Sequence, residues 1–262
     1  MTRSPEIIDS HCHLDFTDFD NDRIAVIERA ERAGVSAIVI PGVSRQRWSN
    51  LLRLCERDGL YPALGLHPVF IESHQQGDLD ALDHALKSSP VVAVGEIGLD
   101  FYLKELDRNR QMKYCEAQLD LAVQHRLPVI LHVRKAHQEM IKLIEARDLI
   151  GGIVHAYSGG INEAFKYIEH GFCIGVGGML TYARSRKLRK LASELPLESL
   201  VLETDAPDMP PASHQGNRNS PEYLPECLMA LSAVRIASPH DIATATTINT
   251  RRVLGITTPL AS

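Results

Sequence analysis

The chain has 262 residues, a formal net charge of −5 and 5% aromatic residues. The negative charge argues against a protein that holds long DNA through phosphate contacts alone, and the few aromatics argue against one that stacks many bases. The length suits one α/β barrel of about 250 residues as well as it suits two smaller domains.

The cysteines and the apolar segments indicate the cellular compartment in which the protein is found. The five cysteines are odd in number and include no Cys-x-x-Cys pair, so we expect no disulfide framework and a reducing environment. No apolar signal-peptide core precedes Ile7, and no apolar run reaches the ~18 residues that a membrane span needs. These features predict a cytoplasmic protein that makes no membrane contact.

Short apolar segments alternate with longer amphipathic ones along the whole chain. The apolar segments are rich in Val, Ile and Leu, as strands buried on both faces are. They predict strands over residues 6–13, 35–41, 60–67, 91–97, 128–133, 152–156, 172–176 and 199–205. Two helices are clearest between them: residues 20–33, with Ile24, Ile27 and Ala30 on one face, and residues 108–125. This alternation predicts a single (β/α)8 TIM barrel domain over residues 1–262.

A doubly wound open sheet is the competing architecture. Such a sheet places a glycine-rich phosphate loop after its first strand. Here the first strand leads into His11-Cys12-His13-Leu14-Asp15, which contains no glycine. The missing loop and the number of strands both favour the barrel.

Polar residues that can bind a metal stand where the predicted strands end, and catalytic residues of barrels come from these ends. His11 and His13 are two residues apart and therefore share a face of the first strand, while Cys12 faces the other way. The other candidates close the fourth, fifth, sixth and eighth strands: Glu96, His132, His155 and Asp205.

Each of these residues has a structural alternative when it is taken alone. The two histidines could belong to a turn, Glu96 could form a buried salt bridge, and a single histidine is more often a core or surface residue than a ligand. Together, four imidazoles and two carboxylates exceed what one tetrahedral ion uses. They suit two divalent ions about 3.5–4 Å apart with a carboxylate between them. The ions could be Mg, Mn or Zn, because oxygen and nitrogen ligands accept all three.

Six short motifs carry a resemblance to the TatD family of metal-dependent deoxyribonucleases, and the run Asp205-Ala206-Pro207-Asp208-Met209-Pro210 resembles its YjjV-like branch in particular. They occur in the family's order along nearly the whole chain: His11-Cys12-His13, Gly65-Leu66-His67-Pro68, Gly95-Glu96-Ile97-Gly98-Leu99-Asp100, Pro128-Val129-Ile130-Leu131-His132, His155-Ala156-Tyr157-Ser158-Gly159 and Glu203-Thr204-Asp205-Ala206-Pro207. The resemblance implies a metal-dependent hydrolase barrel and, as in some members, magnesium-dependent exonuclease action on DNA.

The resemblance also implies roles for the ligands. His11 and His13 would bind one ion together with Asp205, and His132 and His155 would bind the second. Glu96 would bridge the two ions. Two positions depart from many relatives: Asp208 replaces an aromatic residue, and Ser220 replaces a glutamate. Both lie in loops at the expected mouth, so they bear on the substrate more than on the chemistry.

Further residues near the strand ends are candidates for chemistry and substrate contact. Asp205 would accept the proton of an attacking water, and Glu203, which lies deeper, would orient a metal ligand. His67 could contact the substrate. Phosphate contacts are expected from two basic groups: Arg134 with Lys135, and the run 184–190, in which Arg184, Arg186 and Lys187 lie nearest the mouth and Arg189 and Lys190 form a solvated face.

The function expected from these residues is phosphodiester cleavage at a binuclear metal site, with DNA as substrate and a chain end preferred over long duplex. A monomer is expected. One alternative is a two-metal hydrolase of small esters, lactones or amides, but many such barrels have a modified lysine where Glu96 stands. The other is a non-catalytic metal-binding barrel, against which the complete ligand set with Asp205 argues. The sequence leaves open DNA or RNA and end or internal cleavage.

Overall fold

Eight parallel strands form a ring at the centre of the molecule, each hydrogen-bonded to the next in chain order. The computed structural model describes residues 6–257. The strands are β1 (Ile7–Asp9), β2 (Val35–Pro41), β3 (Leu60–Leu64), β4 (Ala93–Asp100), β5 (Val129–Arg134), β6 (Gly152–Val154), β7 (Phe172–Val176) and β8 (Leu200–Leu202). The Ser10 amide donates to the Leu202 carbonyl at 2.9 Å and the Asp205 amide to the His11 carbonyl at 2.8 Å, which joins β8 to β1. The predicted (β/α)8 barrel is confirmed.

Helices connect the strands and cover the outside of the ring. They are α1 (Arg23–Arg32), α2 (Arg45–Leu54), α3 (Asp78–Ser88), α4 (Arg108–His125), α5 (His137–Glu145), α6 (Ile161–Glu169), α7 (Arg186–Glu194), α8 (Leu224–Ser232) and α9 (Pro239–Leu254). Asp107 caps the amino terminus of α4, and its side chain accepts hydrogen bonds from the Asn109 and Arg110 amides. This cap satisfies amides that have no partner within the helix.

The interior of the ring is apolar at one end and polar at the other. Small and branched side chains from the strands fill the lower part, and Val253, Leu254 and Ile256 at the end of α9 pack against them. A larger apolar cluster lies between the strands and the helices. The amino-terminal end is filled in this way, while buried polar side chains such as His11, Glu96 and His155 lie toward the carboxyl ends of the strands.

The strand predictions differ from the structure mainly at those carboxyl ends. The predictions for β2 and β7 match, but β1, β3, β6 and β8 end two to four residues before the predicted ends. Beyond these points the chain loses its ladder partners while its side chains still alternate, so the sequence pattern continues past the hydrogen-bonded strand. In the opposite sense, β4 runs on to Asp100 because Gly98 and Leu99 pair with His132 and Val133 of β5.

One predicted core position is wrong. Ile24 is 55% exposed, whereas Val26, Ile27 and Ala30 are buried. α1 begins at Arg23, three residues after the predicted start, and Ile24 therefore lies in a first turn that faces solvent. The helix predicted over residues 108–125 matches α4.

Two expectations concern the chain as a whole. The single domain over residues 1–262 stays a prediction, since its first five and last five residues lie outside those described. Among the helices described, none is both long enough and apolar enough to cross a membrane.

Candidate metal centre

The ligand candidates from five strand ends converge on one carboxylate. Glu96 is 1% exposed. Its Oε1 lies 2.9 Å from His155 Nε2 and 3.2 Å from His132 Nδ1. Its Oε2 lies 3.1 Å from His11 Nε2 and 3.4 Å from His13 Nε2. The structure thus places Glu96 between two pairs of histidines.

Asp205 lies beside the first of these pairs. Its Oδ1 is 3.6 Å from His11 Nε2 and 3.7 Å from His13 Nε2. The two imidazoles face each other with their Nε2 atoms 3.3 Å apart, while Cys12 points to the opposite side and its sulfur contacts the Ala206 carbonyl. The extended chain after β1 produces this arrangement, because alternate side chains of an extended segment share a face.

The chemistry of this cluster fits divalent cations. Nitrogen and oxygen ligand atoms fall into three sets, each within 4.8 Å: His11, His13 and Asp205; His11, Glu96 and His155; and His67, Glu96 and His132. Glu96 Oε2 is buried and receives no hydrogen bond of normal geometry from the described residues. A buried carboxylate oxygen without a donor is costly unless a cation neutralises it. The residues therefore fit a metal site.

The protonation of the cluster is set by burial and by the mutual field of its members. Burial lowers the pKa of His11 well below its usual range. Burial also opposes charge on His155, but Glu96 and Asp205 outweigh it and raise the pKa of His155 to about 10. Burial favours neutral Glu96, yet the surrounding histidines hold the pKa of Glu96 well below its usual range. The cluster thus keeps an anionic centre that a cation can neutralise.

His67 joins the cluster more closely than the sequence indicates. Its Nε2 lies 3.0 Å from Glu96 Oε1, and its Nδ1 accepts a hydrogen bond from the Val69 amide at 3.1 Å. Burial lowers the pKa of His67 to about 4, so the ring is neutral. A neutral ring that accepts at Nδ1 carries its proton at Nε2. His67 therefore donates a hydrogen bond to Glu96 Oε1 in this structure.

Asp100 is a functional candidate to which sequence reasoning gave no role. Its Oδ2 lies 3.0 Å from His132 Nε2, on the side of the ring away from Glu96. Its Oδ1 accepts from the Tyr102 and Leu103 amides, which hold the carboxylate in place. The spacing along β4 could have identified Asp100, because it lies two strand periods beyond Glu96 and so shares its face of the strand.

Replacing Asp100 with Asn is expected to weaken metal affinity about 10- to 100-fold, because carboxylates that orient ligand histidines contribute this much. The measurement is calorimetric titration of metal-free protein with Mn²⁺ or Zn²⁺. Asp107→Asn is the control, since it removes a carboxylate from the same connection without contact to a ligand. Equal affinity in the Asp100 variant and the wild type would show that the hydrogen bond does not tune His132.

Glu203 contacts the backbone beside a ligand and no ligand side chain. Its Oε1 accepts from the Ala156 amide at 2.6 Å, directly after His155, and its Oε2 has no hydrogen-bond partner among the described residues. Burial raises the pKa of Glu203 to about 8. An added Cβ at Gly175 would lie 2.2 Å from Oε2, so only glycine leaves room for this carboxylate. If Glu203 orients the ligand His155, as predicted, it does so through its hydrogen bond with the Ala156 amide.

Left-handed backbone conformations occur close to the ligands. Ala156 has φ 42° and follows His155, Asp205 has φ 57°, and Lys135 has φ 58° and lies three residues after His132. Residues with a Cβ adopt this region at a cost of about 1–2 kcal/mol. Such strain is typical of residues that the surrounding structure holds in place for function.

A cavity of about 320 Å³ lies beside Asp205, between the segments that follow β6, β7 and β8. Its apolar wall contains Met179, Leu188, Leu191 and Met209, and the glycines at 175, 177 and 178 bring backbone close to its interior. Arg184, Arg186 and Lys187 line it at the start of α7. The volume is in the range of small-molecule sites.

Several further cations near the strand ends differ in their contacts. Arg134 is exposed, and its guanidinium lies 3.7 Å from the centre of the Tyr102 ring. Arg218 is engaged, because it pairs with both carboxylate oxygens of Asp22 at 2.8 and 2.7 Å. Lys190 is 75% exposed and lies 3.7 Å from Glu194, as expected for a solvated face. The same expectation is wrong for Arg189, which is half-buried and donates a hydrogen bond to the Leu180 carbonyl at 3.1 Å.

The chain matches known proteins over nearly its full length. The family model described as TatD related DNase matches residues 8–255. The Escherichia coli protein named uncharacterized metal-dependent hydrolase YjjV is 41% identical over 253 residues, which cover 95% of this chain and 98% of that protein. A Rahnella protein named 3′-5′ ssDNA/RNA exonuclease TatD is 34% identical, covering 93% and 96%.

Solved structures agree with this assignment. The crystal structure of the YjjV TatD homologue from Escherichia coli K12 superposes with a TM-score of 0.93 at 40% identity, over 96% of this chain and 98% of that one. A TatD family hydrolase from Entamoeba histolytica, at 22% identity and TM-score 0.85, shares the fold. The chain belongs to the TatD related DNase family of metal-dependent hydrolases.

Proposed function

We propose that the protein hydrolyses phosphodiester bonds of DNA from a chain end, with two divalent ions at the cluster around Glu96. The observation that carries this proposal is the position of the cluster next to a cavity that Arg184 and Arg186 line. Carboxylates and imidazoles bind the ions, and cations beside them attract a phosphate. The exonuclease name of the Rahnella relative supports a nucleic-acid substrate and a chain end. The proposal retains the sequence-based expectation of a cytoplasmic monomer.

The residues divide between two ion positions. His11, His13 and Asp205 would hold one ion, His132 and His155 the other, and Glu96 would reach both. Ions bound there polarise a phosphoryl oxygen and lower the pKa of a bound water. Mg, Mn and Zn are the candidate ions, since all three accept this mixture of ligands.

The chain's own groups supply the rest of the chemistry. A carboxylate oxygen of Asp205 would take the proton of the attacking water, because Asp205 is the more exposed of the two cluster carboxylates. His67 would contact the substrate, and its Nε2 proton is directed at Glu96 Oε1 before the substrate binds. Arg184 and Arg186 would bind the phosphate at the cavity through charged hydrogen bonds.

The proposed reaction is tested with metal-loaded protein on three substrates: 3′-end-labelled DNA, a lactone panel and a phosphotriester panel. Labelled mononucleotides as the first labelled product support cleavage from that end, whereas internal cleavage would first release longer labelled fragments. Turnover of lactones or phosphotriesters without DNA cleavage would favour the small-ester hydrolase. No turnover of any substrate by protein with a full metal content would favour a binding protein.

The number of ions is tested by elemental analysis of the saturated protein. Close to two ions per chain are expected, and the double variant His11→Ala/His13→Ala is expected to lose one of them, since His132 and His155 remain. The double variant His137→Ala/His214→Ala is the control, because it removes two histidines outside the three ligand sets. A wild-type value of no more than one ion at saturation would exclude the binuclear site.

Substrate affinity is expected to depend on a few cations near the cavity. Each phosphate that is neutralised adds about 0.7 to 0.9 to the slope of log affinity against log salt, so two or three contacts give a shallow slope. Arg184→Ala/Arg186→Ala should reduce that slope and raise KM without changing the metal content. Lys190→Ala, on the exposed face of the same helix, should leave both values unchanged. An unchanged KM in the double variant would make this segment a solvated surface only.

A further inference from the structure

Tyr102 and Arg134 form an exposed pair at the rim of the barrel. The Tyr102 side chain is 53% exposed, although tyrosine normally buries most of its ring. The Arg134 guanidinium lies 3.7 Å from the ring centre, within the range of a cation–π contact. The Arg134 guanidinium therefore packs on part of the Tyr102 ring, and the exposed part of the ring can contact a ligand.

The pair is tied to the metal centre through short contacts. The Tyr102 amide donates to Asp100 Oδ1 at 3.0 Å, and Asp100 Oδ2 lies 3.0 Å from His132 Nε2. Arg134 follows His132 by two residues on β5, and its Cα pairs with that of Asp100. The pair therefore stands next to the ligand His132, at β4 and β5.

The cavity lined by Arg184 and Arg186 lies at the other side of the centre, between the segments after β6, β7 and β8. A polymer whose scissile phosphate lies at the cluster would thus have one neighbouring nucleotide at the cavity and the other near Tyr102. A planar ring with an attached guanidinium suits this second nucleotide. The ring can stack on a base, and the guanidinium can bind the adjoining phosphate.

We propose that Tyr102 and Arg134 form a stacking platform for the unpaired base that adjoins the scissile phosphate. The inference rests on the proposed phosphodiesterase function and assigns two residues to base recognition, while the single-stranded form of the substrate already stands in the name of the Rahnella relative. In a duplex each base is already stacked and paired, so it can reach the platform only after unpairing, which costs free energy. A single strand does not have this cost.

The test uses metal-loaded protein and single-stranded oligonucleotides that carry one abasic residue at successive positions from the cleaved end. In the wild type, kcat/KM is expected to fall about tenfold at one position, the size expected for the loss of one stacked base. In Tyr102→Ala, kcat/KM on the intact strand is expected to fall by a similar factor, and the abasic residue should then have no further effect. This non-additivity identifies a direct contact.

Two further variants separate stacking from a general loss of structure. Tyr102→Phe keeps the ring and should retain the abasic sensitivity, and Phe165→Ala removes an exposed ring on α6 and should behave as the wild type. A 2-aminopurine base at the sensitive position should be quenched on binding to the wild type and not to Tyr102→Ala. Metal content should be equal in all variants.

The outcomes distinguish the platform from the function on which it rests. Nucleic-acid hydrolysis by the wild type with no abasic effect at any position, or with the same effect in Tyr102→Ala, would overturn the platform and leave the phosphodiesterase intact. Equal kcat/KM on single-stranded and blunt duplex DNA would also overturn it. If the metal-loaded wild type hydrolyses neither DNA nor RNA, both proposals fail.

Discussion

Replacement of Asp205 by Asn is expected to slow hydrolysis by at least about a hundredfold, the lower range for a positioned proton acceptor. Asn keeps the shape of the side chain and tolerates the left-handed backbone at φ 57°, so the local structure should persist. It cannot take up a proton at the carboxylate position, and it binds a cation less well. The measurement is kcat at saturating metal and substrate.

Asp148→Asn is the matched control for this variant. Asp148 is an exposed aspartate in the connection before β6, away from the carboxyl ends of the strands. It should keep wild-type turnover. Near-normal turnover in Asp205→Asn would exclude Asp205 as the proton acceptor and leave the buried Glu203 as the alternative.

Replacement of Glu96 by Gln is expected to have the other large effect, a loss of roughly a thousandfold in turnover, the upper range for removing one preorganised electrostatic group. Glu96 contacts the imidazoles of His11, His13, His132 and His155 within 3.4 Å. A carboxamide removes the negative charge and turns an N–H group toward nitrogens that must be free to bind cations. Elemental analysis after dialysis should therefore find less than one ion per chain.

Glu105→Gln provides the control for Glu96→Gln, because Glu105 is an exposed glutamate in the connection after the same strand. Circular dichroism of both variants checks that the barrel is intact. A Glu96→Gln protein that keeps two ions and hydrolyses DNA at the wild-type rate would show that Glu96 does not bridge the ions.

The architecture could be predicted because strands buried on both faces have a simple composition. β2 and β7 were predicted to the residue, since both are continuous apolar segments with turns at each end. The ends of β1 and β8 were not, because His11 and Asp205 continue the side-chain alternation after the ladder has ended. The alternation of residue types shows which way the side chains point. It does not show where the backbone hydrogen bonds to the neighbouring strand end.

The positions of the metal-ligand candidates could be predicted from the sequence. Their contacts with residues in other segments could not. The positions of the ligand candidates followed from the carboxyl ends of the strands. The state of the His67 ring did not, because it depends on the amide of Val69, and the ion pair of Arg218 did not, because Asp22 lies 196 residues away. Asp100 was missed although its spacing from Glu96 placed it on the right face.

The residues with left-handed backbone at the mouth of this barrel lower its thermal stability and support its catalytic activity. Ala156 and Asp205 occupy a conformation that glycine adopts without a steric penalty, and each stands directly at the proposed chemistry. A library sorted only for survival at high temperature should accept changes at position 205 that relieve the strain and the buried charge, while a library sorted for DNA hydrolysis should retain the aspartate. The most heat-resistant descendants of this enzyme would then be inactive ones, as expected where a strained residue serves function.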